Sequence, residues 1–302
     1  MAQTRFAPDR GLTSRMVLTM FLLGLLYVVF VGVLIALGMR SITVLLIAGG
    51  ILLVQYFMSD RIALFAMRGR VVSPQEAPEL HGMIDRLCAI ADMPKPRVAI
   101  ADSDVPNAFA TGRNQKNSVV CVTTGLLRRL DGPELEGVLA HEMSHVAHRD
   151  VAVMTIASFL GMVAGLMTRI ALYSGLGGRG RDDRSGGLPI GLIILLVSVL
   201  VYAVSFLLTR ALSRYRELAA DRAGALLTQR PSALASALVK ISGEMARIPT
   251  RDLREAEPFN AFFFVPAVSG KASLAAILAT HPPLERRLEQ LAKISAQLGR
   301  GV

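Results

Sequence analysis

Hydrophobic and polar positions are patterned on two length scales in this chain. On the long scale, uncharged and mostly aliphatic runs occupy residues 16–39, 41–59, 151–168 and 185–209, which are 24, 19, 18 and 25 residues long. A bilayer-spanning helix needs about 20 apolar residues, with a range of roughly 17 to 25. The first and fourth runs meet that requirement outright. The second does so despite Gly49, Gly50 and Gln55. The third is the shortest and carries Thr155, Ser158, Gly161 and Gly165, so a buried or re-entrant helix is its alternative to a full span. Only a tight turn around Arg40 separates the first two runs, which predicts a helical hairpin. A cleaved signal peptide is excluded, because the first run is too long for one and a second span follows at once.

On the short scale, the polar segments alternate with the periods of helices and strands. Residues 73–91 read as a helix opened by Ser73-Pro74-Gln75-Glu76, with Leu80, Ile84, Leu87 and Cys88 on one face. Residues 97–101 alternate like a strand. Residues 107–111 and 118–123 flank a turn-rich stretch and predict a hairpin. Asp131 and Glu134 have capping-box spacing, with Pro133 in the first turn, and so mark the start of another helix. The segment 178–187 is a Gly/Arg/Asp loop. Residues 210–302 are helical, with breaks at Arg230-Pro231 and at Pro282-Pro283. The pattern implies a mainly α membrane protein: four transmembrane helices and a hydrophilic α+β part with a small sheet. It divides into an amino-terminal arm and hairpin (1–59), a first hydrophilic half (60–150), the third and fourth spans (151–209) and a second hydrophilic half (210–302).

Composition and charge add orientation. The chain of 302 residues is 52% hydrophobic and 19% charged, which excludes disorder and a disulfide scaffold. Its net charge is +10. No nucleic-acid motif or basic stripe accompanies that charge, so no nucleic-acid partner is expected and the lipid bilayer is the expected anionic neighbour. Arg5, Arg10, Arg15, Arg61, Arg68, Arg70, Arg149, Arg210, Arg214, Arg216 and Arg222 fall on one side of a four-span topology. Arg40, Arg169, Arg179, Arg181 and Arg184 fall on the other. The positive-inside rule then puts both termini and the large hydrophilic segments in the cytoplasm.

The candidate chemistry lies in His141-Glu142-Met143-Ser144-His145. Residues at i and i+4 share a helix face, so two imidazoles can meet one Zn²⁺ at about 2.0–2.1 Å. Glu142 is then placed as a general base beside the metal rather than a ligand. A catalytic zinc takes three protein ligands and keeps one position open. His148 lies on the ligand face, but a helix running on into the third span would carry it away. Glu217 is the better third ligand, because small residues follow it in Leu218-Ala219-Ala220-Asp221-Arg222-Ala223-Gly224 and let another helix approach. Asp221, on the same face, is placed to orient a ligand imidazole. His281 is the candidate donor to the oxyanion.

These residues carry a resemblance. His141 to His145, the Glu217-Leu218-Ala219-Ala220-Asp221 pattern, Asn107-Ala108-Phe109 and Thr280-His281-Pro282-Pro283, with the flanking spans, resemble the HtpX family of membrane zinc endopeptidases. These are gluzincins related to the CAAX prenyl proteases. The resemblance implies a zincin-like protease domain, one Zn²⁺ per chain and hydrolysis of protein substrates. It further implies that misfolded membrane proteins are cleaved at the cytoplasmic face of the bacterial inner membrane, in quality control and stress response. Asn107, Ala108 and Phe109 resemble the edge-strand segment with which gluzincins pair an extended substrate. The alternative is a membrane scaffold or chaperone partner that holds zinc structurally, which Glu142 argues against, since a structural site needs no base.

Overall fold

The computed structural model describes residues 9–36, 41–150, 153–154, 165, 190–247 and 281–299. The turn at Arg40, nearly all of the third hydrophobic run, the 178–187 loop and Thr280 lie outside the described residues. Two compact units are present. One comprises residues 1–12, 57–152 and 213–302, and the other residues 13–56 and 153–212.

In the second unit the chain forms long apolar helices, α1 (Arg10–Ala36) and most of α2 (Ser41–Ala66), joined there by the first part of α6 (Ile190–Thr228). Phe30 and Val201 pack together with Leu26, Tyr27, Ile194 and Val197 around them. Among the described residues, 10–33 and 192–228 are long and apolar enough to cross a membrane. From Ile190 onwards the fourth hydrophobic run and the Glu217 segment are one unbroken helix of 39 residues. At 1.5 Å per residue that helix is about 58 Å long.

The first unit is built on a four-stranded mixed sheet of order β1-β2-β4-β3. Its strands are β1 (Gly69–Val71), β2 (Arg97–Ala101), β3 (Ala108–Gly112) and β4 (Ser118–Thr123). β3 and β4 form the expected antiparallel hairpin, with Ala108 opposite Val122 and Gly112 opposite Ser118. β2 runs parallel to β4, and the three-residue β1 adds an antiparallel edge. Strand alternation sorts the sheet into two faces. Val98, Ala108, Val120 and Val122 face α3 (Pro78–Ala91) and α5 (Gly132–Ala147), in a core that also holds Leu87, Leu139 and Leu238. Ala99, Ala101, Phe109, Val119 and Cys121 face Ala63 and Leu64, from the last turns of α2.

Two local expectations are corrected. The helix expected from residue 73 starts at Pro78. Ser73 and Glu76 do exchange the expected hydrogen bonds, but as a separate turn. Pro78 disfavours a helical conformation at Ala77, which sits at φ −141° and ψ 63°. Likewise, α5 does not run on into the third hydrophobic stretch. It stops at Ala147, and Arg149 takes a left-handed φ of 58°. The short α4 (Thr124–Arg129), α7 (Pro231–Arg247) and α8 (Leu284–Gln297) complete the unit.

Candidate metal centre

Helix α5 is held at its start and along its length. Asp131 caps it by accepting from the Glu134 N–H at 2.9 Å, while the Glu134 side chain accepts from the Asp131 N–H at 3.0 Å. The buried Glu134 carboxylate also accepts from Ser236 at 2.6 Å and from Lys240 at 2.7 Å, which ties α5 to α7. On the other side α6 comes close. A Cβ on Gly224 would stand 2.9 Å from the backbone nitrogen of His141, so any larger residue there would push the two helices apart.

That approach brings the expected ligands together. His141 Nε2 lies 3.2 Å from His145 Nε2. Each lies 3.5 Å from a Glu217 oxygen, His141 from Oε2 and His145 from Oε1. All three side chains are buried. Four ligands placed tetrahedrally at 2.0–2.1 Å from a zinc ion are separated by about 3.3–3.4 Å from one another. The two imidazole nitrogens fit that figure, and each lies just beyond it from its own oxygen of the Glu217 carboxylate; one donor atom from each of the three residues lies within 4.8 Å of the others.

The far sides of the rings explain why both Nε2 atoms face inwards. His141 Nδ1 is 2.9 Å from Asp221 Oδ1, and His145 Nδ1 is 2.8 Å from Asp150 Oδ2. A ring that donates its Nδ1 proton to a carboxylate presents an unprotonated Nε2 lone pair, the form a metal requires. Two Nε2 atoms this close share a proton when no metal is bound, and a metal that displaces that proton would take both lone pairs. Burial disfavours a charge on His141, but Asp221 and Glu217 outweigh burial and raise it to about 9. Burial also works against ionisation of Glu217, yet His281 and the two ligand histidines hold its carboxyl well below the usual range.

The orienting carboxylates are themselves anchored. Arg287, fully buried in α8, grips Asp221 with two bonds of 2.7 Å, from Nε and from Nη2. Arg216 Nε lies 3.2 Å from Asp150. Asp150 and Arg287 were not singled out from the sequence. Asp150 reaches His145 only because α5 breaks at His148 and Arg149. An acidic residue five positions after the second histidine is the one local signal for it, and helical spacing does not bring that position onto the ligand face. His148 bonds back to Ser144 by the same break, its Nδ1 standing 2.9 Å from the Ser144 carbonyl.

Glu142 is buried beside this cluster, and burial pushes its carboxyl up to about 7. The backbone N–H of Ala110 donates to it. The register accounts for that donor. Asn107 accepts from the Thr123 N–H, so its backbone faces β4, and alternation turns the backbone of Ala108 and Ala110 to the outer edge. The segment Asn107, Ala108, Phe109 thus starts an edge strand, with the Phe109 side chain in the core on the far face. His281 Nδ1 lies 3.1 Å from Glu217 Oε2. A buried carboxylate with a raised pKa beside a two-histidine, one-carboxylate cluster is an arrangement suited to metal-assisted hydrolysis.

Comparison with known proteins points the same way. Residues 74–295 match peptidase family M48. Protease HtpX homolog 1 of Streptomyces coelicolor is 63% identical over 297 residues, 98% of this chain and 97% of that protein. The protease HtpX homolog of Moorella thermoacetica is 53% identical over 293 residues, 96% of each chain. That of Pyrococcus furiosus is 43% identical over 244 residues, 81% of this chain and 83% of its own. Among solved structures, that of S. mikatae Ste24p superposes with a TM-score of 0.54 at 16% identity, a likeness of fold. It covers 89% of this chain, which spans 62% of the Ste24p chain.

Proposed function

Because this chain belongs to peptidase family M48 and is a membrane metalloprotease, we propose that it is an endopeptidase whose metal is one zinc ion held by His141, His145 and Glu217. The observation that carries this reading is the convergence of two Nε2 atoms, 3.2 Å apart, on the two oxygens of one buried carboxylate, each at 3.5 Å. Zinc bound there would polarise the scissile carbonyl and lower the pKa of the attacking water towards about 7.

The chain's own residues do the rest. Glu142 takes the proton from water as its oxygen attacks the carbonyl carbon, and passes that proton to the amine nitrogen as the C–N bond breaks. The Ala110 N–H keeps its carboxylate in place. Asp221 and Asp150 fix the tautomer of each ligand histidine. His281 steadies Glu217 through Nδ1, and its other nitrogen is the donor we assign to the oxyanion. The segment Asn107, Ala108, Phe109, in which Ala108 turns its backbone to the outer edge of β3, pairs an extended substrate main chain. Such pairing demands an unfolded segment, so loosened tails of misfolded membrane proteins are the substrates we assign.

The topology proposed with this activity has four spans, both termini and the metal centre on the cytoplasmic side of a bacterial inner membrane. The reading as a scaffold with structural zinc is not favoured by the protease relatives or by a base as carefully held as Glu142. The test is casein cleavage by the detergent-solubilised protein. Cleavage should stop with a chelator and return with added zinc, whereas chelator-resistant cleavage would reject the reading.

A further inference from the structure

The last turns of α2 have two unlike sides. Ala63 and Leu64 are buried against the sheet, and Asp60 pairs with Arg97 of β2. The other side is largely apolar and exposed. Phe57 is 54% exposed, Met58 40%, Ile62 46% and Phe65 88%. Positions 57, 58, 61, 62 and 65 follow the i, i+4, i+8 spacing of one helix face, and Arg61 stands among them, exposed. Arg68, also exposed, follows where the helix ends. A cluster of large apolar side chains left open to water marks an interaction site.

We propose that this face is a membrane-interface anchor, covered by the headgroup layer of an anionic phospholipid bilayer. Continuity names the occupant. The face belongs to the same helix as the uncharged run 41–59, Ser41–Ala66. Phe65 lies six residues past the run, at most about 9 Å along a helix that rises 1.5 Å per residue, and a tilted helix keeps residues 57–65 within the headgroup layer. Its chemistry matches that depth: phenylalanine and aliphatic groups for the acyl boundary, and arginines whose guanidinium groups reach anionic phosphates.

The anchor bears on the proposed substrate edge. Arg113, in the β3–β4 turn, donates to the Phe57 carbonyl at 3.3 Å and stacks over its ring at 5.5 Å. Gln115 of the same turn donates to the Ala147 carbonyl at the end of α5. Lipid held against α2 therefore fixes the level of the β3 hairpin as well. This inference rests on residues 41–59 spanning the bilayer, and the experiment separates the two.

The chain contains no tryptophan, so one introduced indole is a clean reporter. Phe65→Trp and Leu53→Trp, both at exposed positions, are reconstituted in vesicles with brominated lipids. Leu53→Trp emission should be lost to bromines deep in the chains, which reports the span. Phe65→Trp emission should be blue-shifted, lost to bromines near the headgroups and shielded from aqueous iodide. That shielding should deepen with phosphatidylglycerol, and Arg61→Gln with Arg68→Gln should abolish the deepening. Quenching of Phe65→Trp by iodide while Leu53→Trp responds to lipid would overturn the anchor and leave the span. Resistance of Phe65→Trp to both quenchers would also overturn it, by showing protein on this face. An unquenched Leu53→Trp would reject the span and the anchor together.

Discussion

Glu142→Gln keeps the shape of the side chain and removes its ability to take a proton, so it separates base chemistry from metal binding. We expect it to lower casein cleavage by roughly 10²–10⁴-fold, the usual contribution of a general base, while about one zinc per chain is retained. Metal analysis beside the cleavage assay checks both halves, and a fully active variant would remove Glu142 from its role. Asp150 acts through His145, to which it is bonded at 2.8 Å. Asp150→Ala should weaken zinc affinity by about 10–100-fold, and Asp150→Asn should recover part of it. Competition with a chelator of known affinity reads this directly. If Asp150→Ala binds zinc like the parent, the carboxylate orients nothing.

At the scale of elements, the site depends on how closely α5 and α6 approach and on which edge of β3 is open. Gly224→Ala sets a Cβ 2.9 Å from the His141 backbone nitrogen. Overpacking of this kind costs about 1–3 kcal/mol, so we expect a lower unfolding midpoint together with weaker zinc binding. Ala108→Pro removes a donor from the outer edge, where no partner strand uses it. It should cut proteolysis sharply while zinc content and folding hold, and an active, zinc-loaded variant would sink the pairing model. The contrast between these elements shows what the sequence made legible. His141, Glu142 and His145 are local, since one helix turn sets their geometry. Glu217 and Asp221 were legible through the small residues beside them. Asp150 was not, because its position depends on a non-glycine residue, Arg149, taking a left-handed φ. Nor was Arg287, which meets Asp221 across 66 residues through tertiary packing alone. The strand β1 is three residues long and has too little alternation to register.

For the whole molecule, one continuous helix, α6, carries both an apolar stretch long enough to cross a membrane and Glu217. The topology we propose from the charge asymmetry around the spans has residue 302 in the cytoplasm and the 178–187 loop outside. Reporter fusions at those two points should give opposite signals, and a cytoplasmic signal from the loop would remove the third and fourth spans. The central claim is narrower: two histidines and one glutamate, brought together from α5 and α6, hold a single zinc. Zinc analysis with K-edge absorption on the purified protein, beside Glu217→Ala, tests it most directly. The account predicts about one zinc per chain in a shell of two imidazoles and carboxylate oxygen at about 2.0–2.1 Å, and loss of that metal from Glu217→Ala. A folded Glu217→Ala protein that keeps one zinc in the same shell would contradict it.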